Sequence, residues 1–78
     1  MILVAGGTGV LGSAIARRLI AGGKQVRVLT RRRERAQSLE EVGAEVVTGD
    51  LRDRRALDAA CGGATHVIST ANAFVGTG

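Results

Sequence analysis

Three glycines spaced three apart, Gly6, Gly9 and Gly12, join a short apolar run to a helical pattern within MILVAGGTGVLG. That order admits few folds. The run Ile2-Leu3-Val4-Ala5 reads as a strand, and the pattern from Val10 onward reads as a helix. Gly6 lets the backbone leave the strand through a turn that a Cβ would obstruct. Gly9 keeps side-chain bulk away from a point where a pyrophosphate can approach, and Gly12 allows the helix to pack close against the sheet. Thr8 offers a hydroxyl as donor or as helix cap, and the helix start offers N–H groups and the positive end of its dipole. Strand, glycine turn and helix in sequence form the context of dinucleotide binding. A plain strand-to-helix turn without a ligand is the competing reading.

The rest of the chain repeats the alternation. The first helix is expected over Val10 to Ala21, with Leu11, Ile15 and Leu19 as its inner stripe, Ala14 and Ala16 beside them, and Gly22-Gly23 as its stop. Gln25 to Thr30 (QVRVLT) is the second strand, its alternation interrupted by Arg27. A helix follows over Glu34 to Val42, with a thin apolar face of Ala36, Leu39 and Val42 ending at Gly43. Ala44 to Thr48 is the third strand, and Gly49-Asp50-Leu51 turns out of it. A third helix covers Arg54 to Cys61, capped by Asp53, with Ala56, Leu57, Ala60 and Cys61 inward and Gly62-Gly63 as its stop. Thr65 to Ala71 (THVISTA) is the fourth strand, and Asn72 to Gly78 is a small-residue loop.

Four strands with three intervening helices imply an α/β, Rossmann-type parallel sheet with right-handed crossovers and helices on both faces. The expected strand order is 3-2-1-4, with the switch point between the first and fourth strands. A ligand is then expected over their carboxyl ends, touching Gly6 to Leu11 and Ser69 to Asn72. Residues 1–78 read as one unit, the N-terminal part of a dinucleotide-binding domain whose double winding is incomplete.

Composition narrows the function classes. The chain has 78 residues, and Phe74 is its one aromatic residue, so the core must be aliphatic. A core of this size is marginal. Cys61 is the single cysteine, which excludes an internal disulfide and suits a reducing, cytoplasmic setting; it reads as a small buried hydrophobe. No signal peptide is visible, and no stretch has the ~20 apolar residues of a membrane span. The net charge is +4, carried by the clusters Arg31-Arg32-Arg33 with Arg35, and Arg52 with Arg54 and Arg55. Without aromatic interleaving or a recognisable module, these do not make a nucleic-acid surface; both suit a solvated helix start.

The motifs GGTGVLG, LTRR closing the second strand, GDL closing the third and VISTA in the fourth resemble the NmrA-like branch of the atypical short-chain dehydrogenases. The resemblance covers the whole chain but only the N-terminal portion of that family's fold. It implies that Gly6, Thr8, Gly9, Val10, Leu11 and Gly12 contact the phosphates of a nicotinamide dinucleotide. Arg31 and Arg32 would flank the adenosine ribose, and Asp50 and Leu51 would line the adenine pocket. Thr70, Ala71 and Asn72 would run past the inner ribose and the nicotinamide side. The family is typically much longer, so a missing C-terminal part is expected here. With HVISTA as an uncovered edge, self-association of the isolated chain is also expected.

The tip of the second strand bears on the choice of cofactor. An acid there favours a free 2′-hydroxyl, whereas an arginine favours a 2′-phosphate. Leu29-Thr30-Arg31-Arg32 has no acid before Glu34, which points to NADP over NAD. Arginines that merely begin the next helix are the alternative. Asp50 likewise suits a plain turn as well as an adenine pocket.

Catalytic groups are missing. Short-chain dehydrogenases commonly use a tyrosine assisted by a lysine, but this chain has no tyrosine, and its one lysine, Lys24, precedes the second strand. His66 falls at the far end of the fourth strand, Ser69 and Thr70 have no accompanying base, and no grouping has metal-ligand spacing. These residues therefore read as the cofactor half of an oxidoreductase, or as a regulator that senses the dinucleotide without turnover. A tyrosine and a lysine separated by three intervening residues in a continuation would favour the enzyme.

Overall fold

The computed structural model describes residues 1–6 and 9–69. Its strands are β1 (Ile2–Ala5), β2 (Val26–Thr30), β3 (Glu45–Thr48) and β4 (His66–Ser69), and its α-helices are α1 (Val10–Ala21), α2 (Gln37–Glu41) and α3 (Arg54–Ala60). All strand pairings are parallel, and the order is β3-β2-β1-β4. The register sets Val4 beside Val28 and Ile68, and Leu29 beside Val47. This is the expected sheet, and apart from the start of α2 the element boundaries fall within a residue or two of expectation among the described residues. The expected end of β4, residues 70 and 71, lies outside them.

The two-residue period of the strands divides the core between the faces. Val4, Val26 and Val28 join Ala16, Leu39 and Ala44 on the face covered by α1 and α2. Leu3, Leu29 and Ala60 form the opposite face, flanked by Val47, Leu57 and the part-buried thiol of Cys61. Both clusters are aliphatic.

Three details correct the sequence reading. Leu11 is 50% exposed and Ala14 is exposed; α1 presents Gly12, Ala16, Leu19 and Ile20 to the sheet. The i, i+4, i+7, i+8 set, led by small residues, lets the helix axis lie close, whereas the larger Leu11 points off that face. The expected second helix begins as a 3-10 turn over Arg33–Ala36 before α2. Val42 is 44% exposed because it follows α2 as the C-cap, leaving Ala36 and Leu39 as the inward pair. α1 and α2 close with Schellman bonding. Lys24 and Ala44 donate to the carbonyls of Leu19 and Leu39, around Gly23 (φ 82°) and Gly43 (φ 114°). Asp53 caps α3 as expected, accepting from the Arg55 N–H at 3.0 Å.

Arg27 does more than interrupt a pattern. It lies on the α3 face of β2 with its side chain 19% exposed. Its Nη1 donates to the carbonyls of Ala60 and Gly62, both at 2.8 Å, and its Nε donates to Glu45 Oε1 at 3.0 Å. A charged side chain within an apolar strand thereby satisfies carbonyls at the C-terminal end of a helix.

Candidate dinucleotide site

Backbone hydrogen bonds beyond the ladders draw three turns together at the carboxyl edge of the sheet. The Gly6 N–H donates to the Leu29 carbonyl at 3.0 Å, and the Gly49 N–H donates to the Thr30 carbonyl at 2.9 Å. Gly6 has φ 79°, a conformation that side chains beyond glycine resist. The residues that leave β1, β2 and β3 therefore share one corner.

That corner is an open groove of about 420 Å³. Its floor is Gly6, Leu29, Thr30, Gly49 and Leu51, and its charged rim is Arg31, Arg32, Arg35, Asp50 and Arg52. Four arginines and one acid thus line the rim. Buried Thr30 shapes the β2 tip: its Oγ1 accepts from the Arg32 N–H at 3.1 Å. On the other wall, the Asp50 carboxylate accepts from the Arg52 N–H at 2.9 Å, from its Nε at 3.2 Å and from its Nη2 at 2.9 Å. Arg31 Nη1 stands 4.0 Å from Asp50 Oδ2. The Arg52 guanidinium and then its backbone N–H, with a smaller share from Arg31, hold the Asp50 carboxyl at about 2, below its ordinary 3.8. The same pairing raises Arg52.

Of the expected site residues, Gly6, Arg31, Arg32, Asp50 and Leu51 meet at this groove. Gly9, Val10 and Leu11 form the exposed start of α1, where Gly9 is the N-cap and makes no side-chain cap bond. A Cβ built on Gly9 would meet nothing within 4 Å among the described residues. Gly12 is buried on the inner face of α1. Thr8, Thr70, Ala71 and Asn72 lie outside the described residues.

Sequence reasoning left two rim residues, Arg35 and Arg52, without a site role. A carboxylate and an arginine two residues apart in a G-D turn are a signal that could have found Arg52, because Asp commonly bonds the N–H two residues on. The two arginine clusters also separate. Arg33 turns from the groove to pair with Glu40 at 2.6 Å and to donate to the Val46 carbonyl at 3.3 Å. Arg54 pairs with Asp58 along α3 at 3.9 Å. At the opposite, amino end of the strands lie Lys24 and His66, both exposed, and His66 Nδ1 is 3.1 Å from Thr65 Oγ1. Among the described residues, no helix is long and apolar enough to cross a membrane.

A parallel 3-2-1-4 sheet, a glycine turn opening onto α1 and a groove over the carboxyl edge define a Rossmann-type nucleotide-binding fold. The NmrA-like family model matches residues 1–77, and the chain belongs to that family. It is 42% identical over 73 residues to sterol demethylase protein B of Methylococcus capsulatus, covering 94% of this chain and 22% of that protein. It is also 42% identical over 68 residues to an NAD(P)H azoreductase of Xenophilus azovorans, covering 87% and 24%. Among solved structures, an NADPH-dependent quinone oxidoreductase of Escherichia coli superposes with a TM-score of 0.76 at 30% identity, over 88% of this chain and 26% of that one. The chain therefore spans about a quarter of the length of such relatives.

Proposed function

We propose that the chain holds a nicotinamide dinucleotide across the carboxyl edge of its sheet, with NADP(H) preferred over NAD(H), as the cofactor-binding portion of an NmrA-like oxidoreductase. The observation that carries this reading is the groove rim, where Arg31, Arg32 and Arg35 line the opening and the one lining acid, Asp50, is paired with Arg52. Such a rim suits a phosphate on the adenosine ribose, because guanidinium groups bind phosphate with charge-assisted, often bidentate hydrogen bonds. Exposed Gly9, the N-cap of α1, suits the pyrophosphate. The azoreductase and quinone oxidoreductase relatives, with NAD(P)H and NADPH in their names, support a nicotinamide dinucleotide as the ligand.

When bound, the cofactor supplies or accepts a hydride. The residues of this chain bind and orient it. They include no tyrosine, and the one lysine stands at the amino end of β2. That observation keeps a second reading in view, a regulatory protein that binds the dinucleotide without turnover.

The test is a titration with NADPH and with NADH, followed by nicotinamide fluorescence; the chain has no tryptophan or tyrosine to interfere. Tighter binding of NADPH is the expected result. Equal affinities would overturn the preference. Binding of neither, with helical circular dichroism retained, would overturn the site.

A further inference from the structure

Asp50 poses a difficulty for a phosphate-binding groove. A carboxylate on the rim repels a phosphate and competes with it for Arg31, whose Nη1 is 4.0 Å away. Arg52 answers that difficulty in its geometry. It grips both oxygens of Asp50, with Nε on Oδ1 at 3.2 Å and Nη2 on Oδ2 at 2.9 Å, and its backbone N–H adds a third bond to Oδ1. Arg31 is left at the limit of ion pairing, with its side chain 69% exposed.

We propose that Arg52 is a positioning residue for nucleotide specificity. By occupying Asp50, it keeps Arg31 available to a phosphate and cancels the one negative charge on the rim. The inference rests on the NADP(H) reading. Without Arg52, Asp50 closes on Arg31 as its remaining partner, and the groove loses both a charge and an available guanidinium. Binding of a dinucleotide that lacks the extra phosphate is affected much less, because Arg31 then has no phosphate to hold. Asp50 thus works as a counter-charge whose influence is set by its neighbour two residues on.

The experiment reads the ratio of NADPH to NADH dissociation constants in the wild-type chain, Arg52→Ala, Arg52→Lys, Asp50→Asn and the double variant Arg52→Ala/Asp50→Asn. Arg54→Ala serves as the control, since it removes an equal charge from an ion pair on α3 outside the groove. Taking ratios cancels losses common to both nucleotides, and circular dichroism confirms that each variant is folded. Arg52→Ala should narrow the preference for NADPH by roughly two- to fivefold, the size of exposed charge-pair effects. Arg52→Lys, which keeps the charge but loses the fork, should lose part of it. In the Asp50→Asn background, removing Arg52 should change the ratio far less, because there is no carboxylate left to restrain.

An equal effect of Arg52→Ala in both backgrounds would overturn the inference and make Arg52 a direct phosphate ligand. An unchanged ratio in Arg52→Ala, or the same change in Arg54→Ala, would overturn it as well. A wild-type chain that does not discriminate between the nucleotides would remove the NADP(H) reading itself, and the inference with it. A discriminating wild type with an indifferent Arg52 leaves that reading standing and removes the inference alone.

Discussion

Arg27 reaches from the second residue of β2 to the carbonyl of Ala60, 2.8 Å away, at the last residue of α3. One side chain thereby joins a sheet strand to a helix end thirty-three residues on. Replacing it with methionine keeps much of the apolar stem but takes the donor from the part-buried carbonyl of Ala60, while the exposed carbonyl of Gly62 can turn to water. Arg27→Met should cost about 1–3 kcal/mol in urea unfolding, the penalty of a partly buried acceptor left without its donor. Glu45→Gln should cost under about 1 kcal/mol, because Glu45 is the exposed partner.

Gly49 is a packing constraint at the floor of the groove. A Cβ there would stand 3.0 Å from the Ala56 Cβ and 3.2 Å from Leu29 Cδ1. Gly49→Ala should destabilise by about 1–3 kcal/mol through overpacking and weaken both nucleotides together by displacing the Asp50 turn. Adding Ala56→Gly relieves the closer contact, so the double variant should be more stable than the sum of the single effects. A double-mutant cycle by thermal unfolding checks this.

Asp50 makes stability depend on acid. Its folded-state pKa, about 2, lies below its ordinary 3.8, so the pairing contributes fully above about pH 4 and is lost as pH falls towards 2. Asp50→Asn should flatten the fall of stability across that window and leave the neutral-pH circular dichroism spectrum unchanged. Denaturant midpoints measured at both ends of the window make the comparison, and parallel curves for wild type and variant would count against it.

Arg31→Ala should weaken NADPH binding by about tenfold, in keeping with the loss of a charge-assisted bond to phosphate, and NADH binding by about twofold or less. Equal losses for the two nucleotides would show that Arg31 only begins the turn after β2.

The sheet was legible because its signals are local and repeated. Each strand is a short β-forming run, and each helix ends at glycine. Parallel order then follows from alternation. Helix faces were less legible. Leu11 fits a four-residue stripe on paper, yet small residues decide which side of α1 can approach the sheet. Sequence gives the period of a stripe more readily than its phase. Arg27 was visible only as an exception, since its partners are carbonyls, which have no sequence signature. At the groove, Gly6, Arg31, Arg32, Asp50 and Leu51 could be grouped because motif and topology both send strand ends to one edge. Arg52 was only half legible: the G-D turn signals its N–H bond to Asp50, but its side chain's role depends on which of several nearby partners it selects.

The order β3-β2-β1-β4 also sets a timetable. The first of the described strands is an inner one, and its second neighbour is the last of them in the chain. The Thr65 hydroxyl, donating to the Met1 carbonyl at 3.1 Å, spans sixty-four residues. Closing so long a loop costs only modestly more free energy than closing a short one, but contacts between distant residues slow folding. On the ribosome, β1 can pair with β2 early, while its other edge stays unsatisfied until residues 66–69 emerge. Among the described strands, the apolar Ile2–Ala5 segment is therefore the one that waits longest for both its neighbours, and the one most in need of protection while it waits.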